Sequence, residues 1–367
     1  MSIRYNTMVY ELQQRGIKVL IMSLGEAYFD IPLFPMDDLP YPQVNHYSHS
    51  RGLPELREKL AQYFRTEYGV VFDPATEIII TAGSKAAIHM TLMSVLNPGD
   101  EVLYSEPAWV SYPEQIKLCY AIPVGIPYDR SVYDYESYIT PRTKAIIINN
   151  PHNPRGSVLS GPELQDLLDL ARQYDLWLLS DEAYSDFLID DSFVSVARLD
   201  PEKKNSAVFN SMSKNYGISG WRIGYVISNG ALINNVLKVN QHLVTCPATI
   251  LESYLAKHFG ELLEITKPQM RDVVCRRRQL AAYMDEIGLN YLPGTATFYF
   301  FVSIAPSRLS SEGFCTRLLQ EDYVSIVPGI GYGHSCGRFV RVSVGAATLE
   351  ENKFGLDRIR DLIRKTS

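Results

Sequence analysis

The sequence predicts an α/β protein: a large domain with a mostly parallel sheet flanked by helices, and a smaller α+β domain beside it. Three observations carry this. Short runs that are apolar on both faces alternate with amphipathic helical stretches. Residues suited to chemistry follow directly after those runs, and a long charged helical stretch precedes a differently patterned last part. A strand covered by helices on both sides reads as continuous apolar sequence, and ligands of such sheets bind beyond the strands' carboxyl ends.

Taken in order, residues 19–24 read as a strand with no early helical partner, so residues 1–35 are expected to join the C-terminal part. Ile78-Ile79-Ile80-Thr81 is the first strand of the large domain, followed by a helical stretch over 86–96 that stops at Asn97-Pro98-Gly99. Further strands are expected at 101–104, 145–148, 176–180 and 207–209. The charged helix over 261–278 then leads to a strand at 298–303. Placing the boundary in that helix gives a large domain over 36–265 and a small one over 266–367.

The 367 residues are 46% hydrophobic and 21% charged, with a net charge of −6. That is an ordinary soluble balance, large enough to bury a core and hold a cleft. The densest basic run, Arg276-Arg277-Arg278, reads as a solvated helix face, so nucleic acid is not expected as a partner. No stretch is apolar for long enough to span a bilayer, and the start lacks the pattern of a secretion signal. The cysteines (119, 246, 275, 315 and 336) are scattered and odd in number, which points to small buried thiols in a reducing cytoplasm, with no disulfide framework or metal site.

Lys214 is the most informative position. It sits among Ser211, Ser213 and Gly217, with Arg222 eight residues on. A pocketed lysine amine can form a Schiff base with a carbonyl, while an arginine neutralises a nearby phosphate. A solvated loop lysine is the competing reading. Gly83-Ser84-Lys85 lies between a strand and a helix, where backbone N–H groups face an anion, or where Ser84 serves as an ordinary cap. Asp181 ends an apolar strand, a costly place for a carboxylate without a partner such as a protonated pyridine nitrogen; Glu182 should point the other way. Tyr184 follows three residues later. Asn153, in a stiff turn between Pro151 and Pro154, can present its amide to a ligand or serve the turn alone. Trp109 can stack on a heteroaromatic ring or pack in the core.

Together these segments resemble the fold type I pyridoxal-phosphate enzymes, specifically the class I aminotransferases that include aspartate and aromatic aminotransferases. The resemblance runs from about residue 15 to the C-terminus and rests on order and spacing. Asn153 lies 28 residues before Asp181, Lys214 lies 33 after it, and Arg222 eight after Lys214. It implies a pyridoxal 5′-phosphate cofactor bound by Lys214 as Schiff-base lysine and proton shuttle, with Asp181 on the pyridine nitrogen. Asn153 and Tyr184 resemble ligands of the phenolic oxygen, and Trp109 the ring-stacking residue. Gly83, Ser84, Lys85 (by its backbone), Ser211 and Arg222 resemble the phosphate cradle. Arg341, with Gly25 and Asn153, resembles the site for the substrate's α-carboxylate. Tyr47 matches a tyrosine that reaches the neighbouring subunit's phosphate, which implies a homodimer.

The chain departs from that pattern in places. Gly25-Glu26-Ala27-Tyr28-Phe29 stands where Gly-Glu-Pro-Asp-Phe is frequent, and the family often begins with an additional N-terminal arm that helps close the cleft, which leaves substrate gating open. His152 and Arg155 stand where asparagine and threonine are usual, and Asn-Pro-His-Asn-Pro also occurs in carbon–sulfur lyases and kynurenine-type aminotransferases. Arg155 could reach a substrate's acidic group, or be structural. The expected function is transfer of an amino group from an L-amino acid to a 2-oxo acid by a ping-pong cycle. Beta-elimination on the same cofactor is the alternative, and a non-catalytic regulator the third reading.

Overall fold

The structure, a computed structural model, describes residues 2–189 and 193–367. Helix α1 (Ser2–Gln14) and the short strand β1 (Leu20–Ile21) precede α2 (Pro54–Tyr68), which starts at a proline and stops at Gly69 in the left-handed region. The large sheet then builds up as β2 (Ile78–Thr81), α3 (Ser84–Val95), β3 (Glu101–Ser105), α4 (Ser111–Leu118), β4 (Ile122–Ile126) and β5 (Thr143–Asn149). Helix α5 (Gly161–Gln173) begins at a reciprocal cap between Ser160 and Glu163 and leads to β6 (Trp177–Asp181). After α6 (Val196–Leu199) come β7 (Ser206–Ser211), the single turn α7 (Met212–Asn215), β8 (Gly224–Ser228) and α8 (Gly230–Leu243). Helix α9 (Thr249–Ile287) leads to β9 (Tyr299–Ser303), α10 (Ser311–Asp322), β10 (Val324–Ser325), β11 (Val327–Pro328), β12 (Phe339–Ser343) and α11 (Leu349–Lys365).

The large sheet has the order β2-β8-β7-β6-β5-β3-β4, parallel except for β8, which runs against both neighbours. Its strands alternate between two cores. Ile78, Ile80, Leu103, Ile146, Leu178 and Val208 face one; Ile79, Val102, Ile147, Leu179, Ala207 and Phe209 face the other. Helices cover both faces, which is why these strands read as unbroken apolar runs.

A third core joins Phe298, Phe300 and Val302 to Val340, Val342, Leu356 and Ile359 around the antiparallel sheet β11-β12-β9. Helix α9 crosses between cores: Leu255, Phe259 and Leu262 pack in the first, Met270, Val273 and Met284 in the third. Strand β1 pairs in parallel with β10, and Tyr5, Met22 and Ala27 pack in the third core, while Phe34 and Met36 lean on the first.

Two expectations need correction. Arg277 does not lie on a solvated face. It is buried, and its guanidinium donates to the carbonyls of Gly294 (2.7 Å) and Tyr299 (3.0 Å). Burial pushes its pKa down to about 10, and the exposed neighbour Arg278 shows the face the periodicity described. Of the five free cysteines only Cys315 and Cys336 are buried; Cys275 is exposed on α9.

Candidate active site

The turns after β2, β3, β5, β6 and β7 converge at the carboxyl end of the parallel strands. At one side, α3 starts from Gly83, which has a positive φ of 84° and supplies no side-chain cap, so the first N–H groups of a twelve-residue helix remain available to an anion. A Cβ on Gly83 would lie 2.5 Å from Nη2 of Arg222, and one on Gly224 would lie 2.2 Å from the backbone nitrogen of Ser84. Only glycines let β8 and the Arg222 side chain come this close to the helix start. Arg222 is itself left-handed (φ 59°), and its Nη1 reaches the Ser219 carbonyl and, at 3.5 Å, the Ser213 hydroxyl. Ser211 caps α7, accepting from the Ser213 N–H at 3.0 Å. A helix N-terminus, two serines and a guanidinium thus lie on adjoining turns, an arrangement that could hold an anion.

Helix α7 presents Lys214 next to that cradle. Its Nζ donates to the Gly25 carbonyl at 2.5 Å and lies 6.0 Å from the centre of the Tyr184 ring. Burial lowers its pKa to about 8, with Arg341 and Arg222 acting in the same direction and Glu26 and Asp181 against. Asp181, buried at the end of β6, accepts from the Tyr112 hydroxyl at 2.6 Å and the Ala183 N–H at 3.2 Å. Desolvation raises its pKa to about 6 despite these donors. Glu182 points away, bonded to the Ser180 hydroxyl and the Val196 N–H, as extended geometry dictates.

The turn after β5 is tied to β6, since Asn149 Nδ2 and the Asn150 N–H both donate to the Asp181 carbonyl. This aims Asn153, whose Nδ2 donates to the Tyr184 hydroxyl at 3.2 Å. Tyr184 in turn lies 3.0 Å from the Tyr299 hydroxyl. Arg341 of β12 is buried, donates from Nη2 to the Ser23 carbonyl (2.6 Å), and has the rings of Tyr299 and Tyr332 at 4.8 and 5.4 Å. Among the described residues, Nε of Arg341 and Oδ1 of Asn153 are buried polar atoms without a partner. Such atoms are costly unless a ligand meets them. An anion cradle, an amine of lowered pKa, a carboxylate at a strand end and these two open polar atoms fit a group that carries an aldehyde, a phosphate and a ring nitrogen.

Gly25, Asn153, Asp181, Tyr184, Lys214 and Arg341 thus form one connected group, with Gly83, Ser84, Ser211 and Arg222 beside it. Trp109 joins through Tyr112, its ring edge-on at 5.3 Å, and carries the Lys85 ammonium 5.1 Å over its face. Tyr47 does not join: its side chain is 85% exposed. Arg155 donates to the Pro293 carbonyl at 3.2 Å, a structural tie to the segment before β9. Sequence reasoning missed Tyr112, Tyr299 and Tyr5. Tyr5 is buried, its hydroxyl donating to the Glu312 carbonyl at 3.0 Å, and it lines the cavity that holds Arg341. Helix α1 therefore supplies a wall where the sequence left closure open.

A family profile described as aminotransferase class I and II matches residues 38–359. An aspartate aminotransferase of Pyrococcus abyssi is 33% identical over 95% of this chain and 93% of that relative. Aromatic-amino-acid aminotransferase 2 of Thermococcus litoralis is 31% identical over 97% of this chain and 95% of that protein. The crystal structure of an aspartate aminotransferase from Thermotoga maritima superposes with a TM-score of 0.89 at 28% identity, covering 99% and 96% of the two chains.

Proposed function

The chain belongs to the class I and II aminotransferases and moves amino groups between amino acids and 2-oxo acids; we propose that it does so with pyridoxal 5′-phosphate held covalently by Lys214. The observation that carries this reading is the meeting, at the strand ends, of a half-buried lysine of lowered pKa with the buried carboxyl of Asp181 and the buried guanidinium of Arg341.

When bound, the cofactor supplies an aldehyde for the amine to condense with and a ring that draws electrons from the substrate's α-carbon. Arg222, Ser211 and the N–H groups of Ser84 and Lys85 would hold its phosphate, and Asn153 and Tyr184 its phenolic oxygen. Asp181, ionised above about pH 6, keeps a proton on the ring nitrogen. Tyr112 holds that carboxylate in place, and Trp109 would stack on the ring.

Arg341 takes the substrate's α-carboxylate, for which its unpartnered Nε and neighbouring Nη form a planar edge. The rings of Tyr299 and Tyr332 keep water off the guanidinium faces. A pKa of about 8 leaves roughly one in ten Lys214 amines neutral at pH 7, against far fewer for an exposed lysine. The neutral Nζ would take the proton from the substrate's Cα, and the ammonium so formed would return it two bonds away, beyond the amino nitrogen; water must then release the 2-oxo acid to complete the half-reaction. Gly25 offers its carbonyl to Nζ, fixing the amine between transfers.

We assign the enzyme to the cytoplasm, in keeping with five free thiols and with no described helix long and apolar enough to cross a membrane. It acts as a homodimer in which Tyr47 reaches the neighbouring site. The test is a single half-reaction on cofactor-loaded protein with an amino donor and no acceptor. One equivalent of 2-oxo acid per site is expected, and Lys214→Ala should lower its rate by more than about 10³-fold. Catalytic release of pyruvate and ammonia would reject transfer in favour of elimination.

A further inference from the structure

Glu106 lies in the loop after β3, shortly before Trp109, and is only 6% exposed. Its carboxylate accepts from the N–H of His334 (2.9 Å), the N–H of Ser335 (2.8 Å) and the Ser335 hydroxyl (2.6 Å), all in the segment between β11 and β12. A charged acceptor met by several donors is held more strongly than a neutral one. Glycines on two sides make room for it. A Cβ on Gly125 of β4 would stand 2.7 Å from its Oε1, and one on Gly333 would overlap its Cδ. Three separate segments are thus shaped around one charged group. The socket is complete within one chain, so a neighbouring subunit is not needed to form it.

The loop that carries Glu106 is also a junction. The Ala108 N–H donates to the Tyr332 carbonyl at 2.7 Å, and the Tyr332 ring lies 5.4 Å from the Arg341 guanidinium. On the other side His152, the neighbour of Asn153, accepts from the Arg155 N–H at 3.4 Å through Nδ1 and bonds the Pro107 backbone through its other ring nitrogen. Burial, helped by Arg155, pushes the His152 pKa down to about 3, so the ring is neutral, with one donor and one acceptor, both used. Val110 and Tyr128 pack against Tyr332 and Phe339, but apolar packing has no direction and leaves the offset between the segments open. Hydrogen bonds fix it. We propose that Glu106 is a positioning residue: by fastening the segment that carries Tyr332 to the loop that carries Trp109, it sets where the open edge of Arg341 stands relative to the cofactor ring. It touches neither substrate nor cofactor. The inference rests on the reading of Lys214 and Arg341 as an aminotransferase site.

Every amino donor offers Arg341 the same α-carboxylate, so a displaced clamp weakens all donors alike, whatever their side chains. Glu106→Gln keeps the size of the side chain but turns an NH2 group toward N–H donors. In the pyridoxal-phosphate-loaded enzyme, kcat/KM is expected to fall at least about tenfold for every donor the enzyme accepts and by the same factor, with most of the loss in KM and cofactor retention unchanged. Two non-reacting acids, 3-phenylpropionate and succinate, followed by the visible absorption of the loaded enzyme, should both bind about tenfold more weakly. The milder Ser335→Ala should raise KM about threefold alone and less than about twofold further in the Glu106→Gln background, because both changes break the same contact. Fully additive effects would overturn the inference, and so would a loss confined to one donor or a lowered Tm with KM unchanged. Should Glu106→Gln not fold, Ser335→Ala decides alone, and an unchanged KM for every donor would overturn the inference. Weaker binding of both acids by Glu106→Gln, with no amino transfer from any donor by the unmodified enzyme, would uphold the positioning and reject the reaction.

Discussion

Tyr112 and Asp181 show how one side chain sets the working range of another. Burial alone favours the neutral acid, and the Tyr112 hydroxyl, donating at 2.6 Å, opposes it. Their balance leaves a carboxyl that titrates at about 6, so its charged form prevails above that pH and is lost as pH falls through it. Tyr112→Phe keeps the ring against Trp109 and deletes the donor, which raises the pKa of Asp181 further. The acidic limb of the pH–rate profile is then expected to move to higher pH, with kcat down about tenfold at pH 6 and much less at pH 8. A uniform loss at all pH values would mean that Tyr112 serves packing and not the charge of Asp181. The Tyr112–Asp181 bond joins residues 69 apart, and no pattern in the sequence connects them.

At the level of elements, strands with one simple environment were legible and the rest were not. Runs such as Ile78-Ile79-Ile80 and Ala145-Ile146-Ile147-Ile148 are apolar throughout because both sheet faces are covered, and the turns after them carry Gly83, Asn153 and Lys214. Strand β4 holds Pro123 and Gly125, which weaken any strand signal, and it survives as the last strand of the order, where one side needs no partner. The wall from α1 and the hydroxyl of Tyr299 depend on pairing between distant segments, which periodicity does not encode. Strand β8 matters for a similar reason: its Gly224 must touch the start of α3. Gly224→Ala would push β8 off the Ser84 nitrogen, and overpacking of this kind costs about 1–3 kcal/mol. A lowered Tm with weaker retention of pyridoxal phosphate is expected; a lowered Tm with unchanged retention would separate the sheet from the cradle.

Across the whole molecule, the proposed dimer turns on Tyr47. Its loop is held firmly: Glu252 accepts from the Ser48 hydroxyl (2.9 Å) and the Leu53 N–H (3.1 Å), and Asn240 Nδ2 donates to the Ser50 carbonyl (2.9 Å). Yet Tyr47 itself is 85% exposed, and Leu243, three residues beyond Asn240, is 57% exposed. A fixed loop bearing an exposed tyrosine near an exposed leucine suits an interface between copies, where little ordering is left to oppose association. If Tyr47 completes the neighbouring site, two damaged subunits can repair each other. A mixed dimer of Tyr47→Ala and Lys214→Ala subunits then has one site with both defects and one with neither. Random exchange makes about half the dimers mixed, so about a quarter of all sites are intact. Assayed at limiting pyridoxal phosphate, activity should rise toward about a quarter of the unmodified enzyme's as subunits exchange. If Tyr47 instead serves its own subunit, every site keeps a defect, and the mixture will never exceed the average of the two parents.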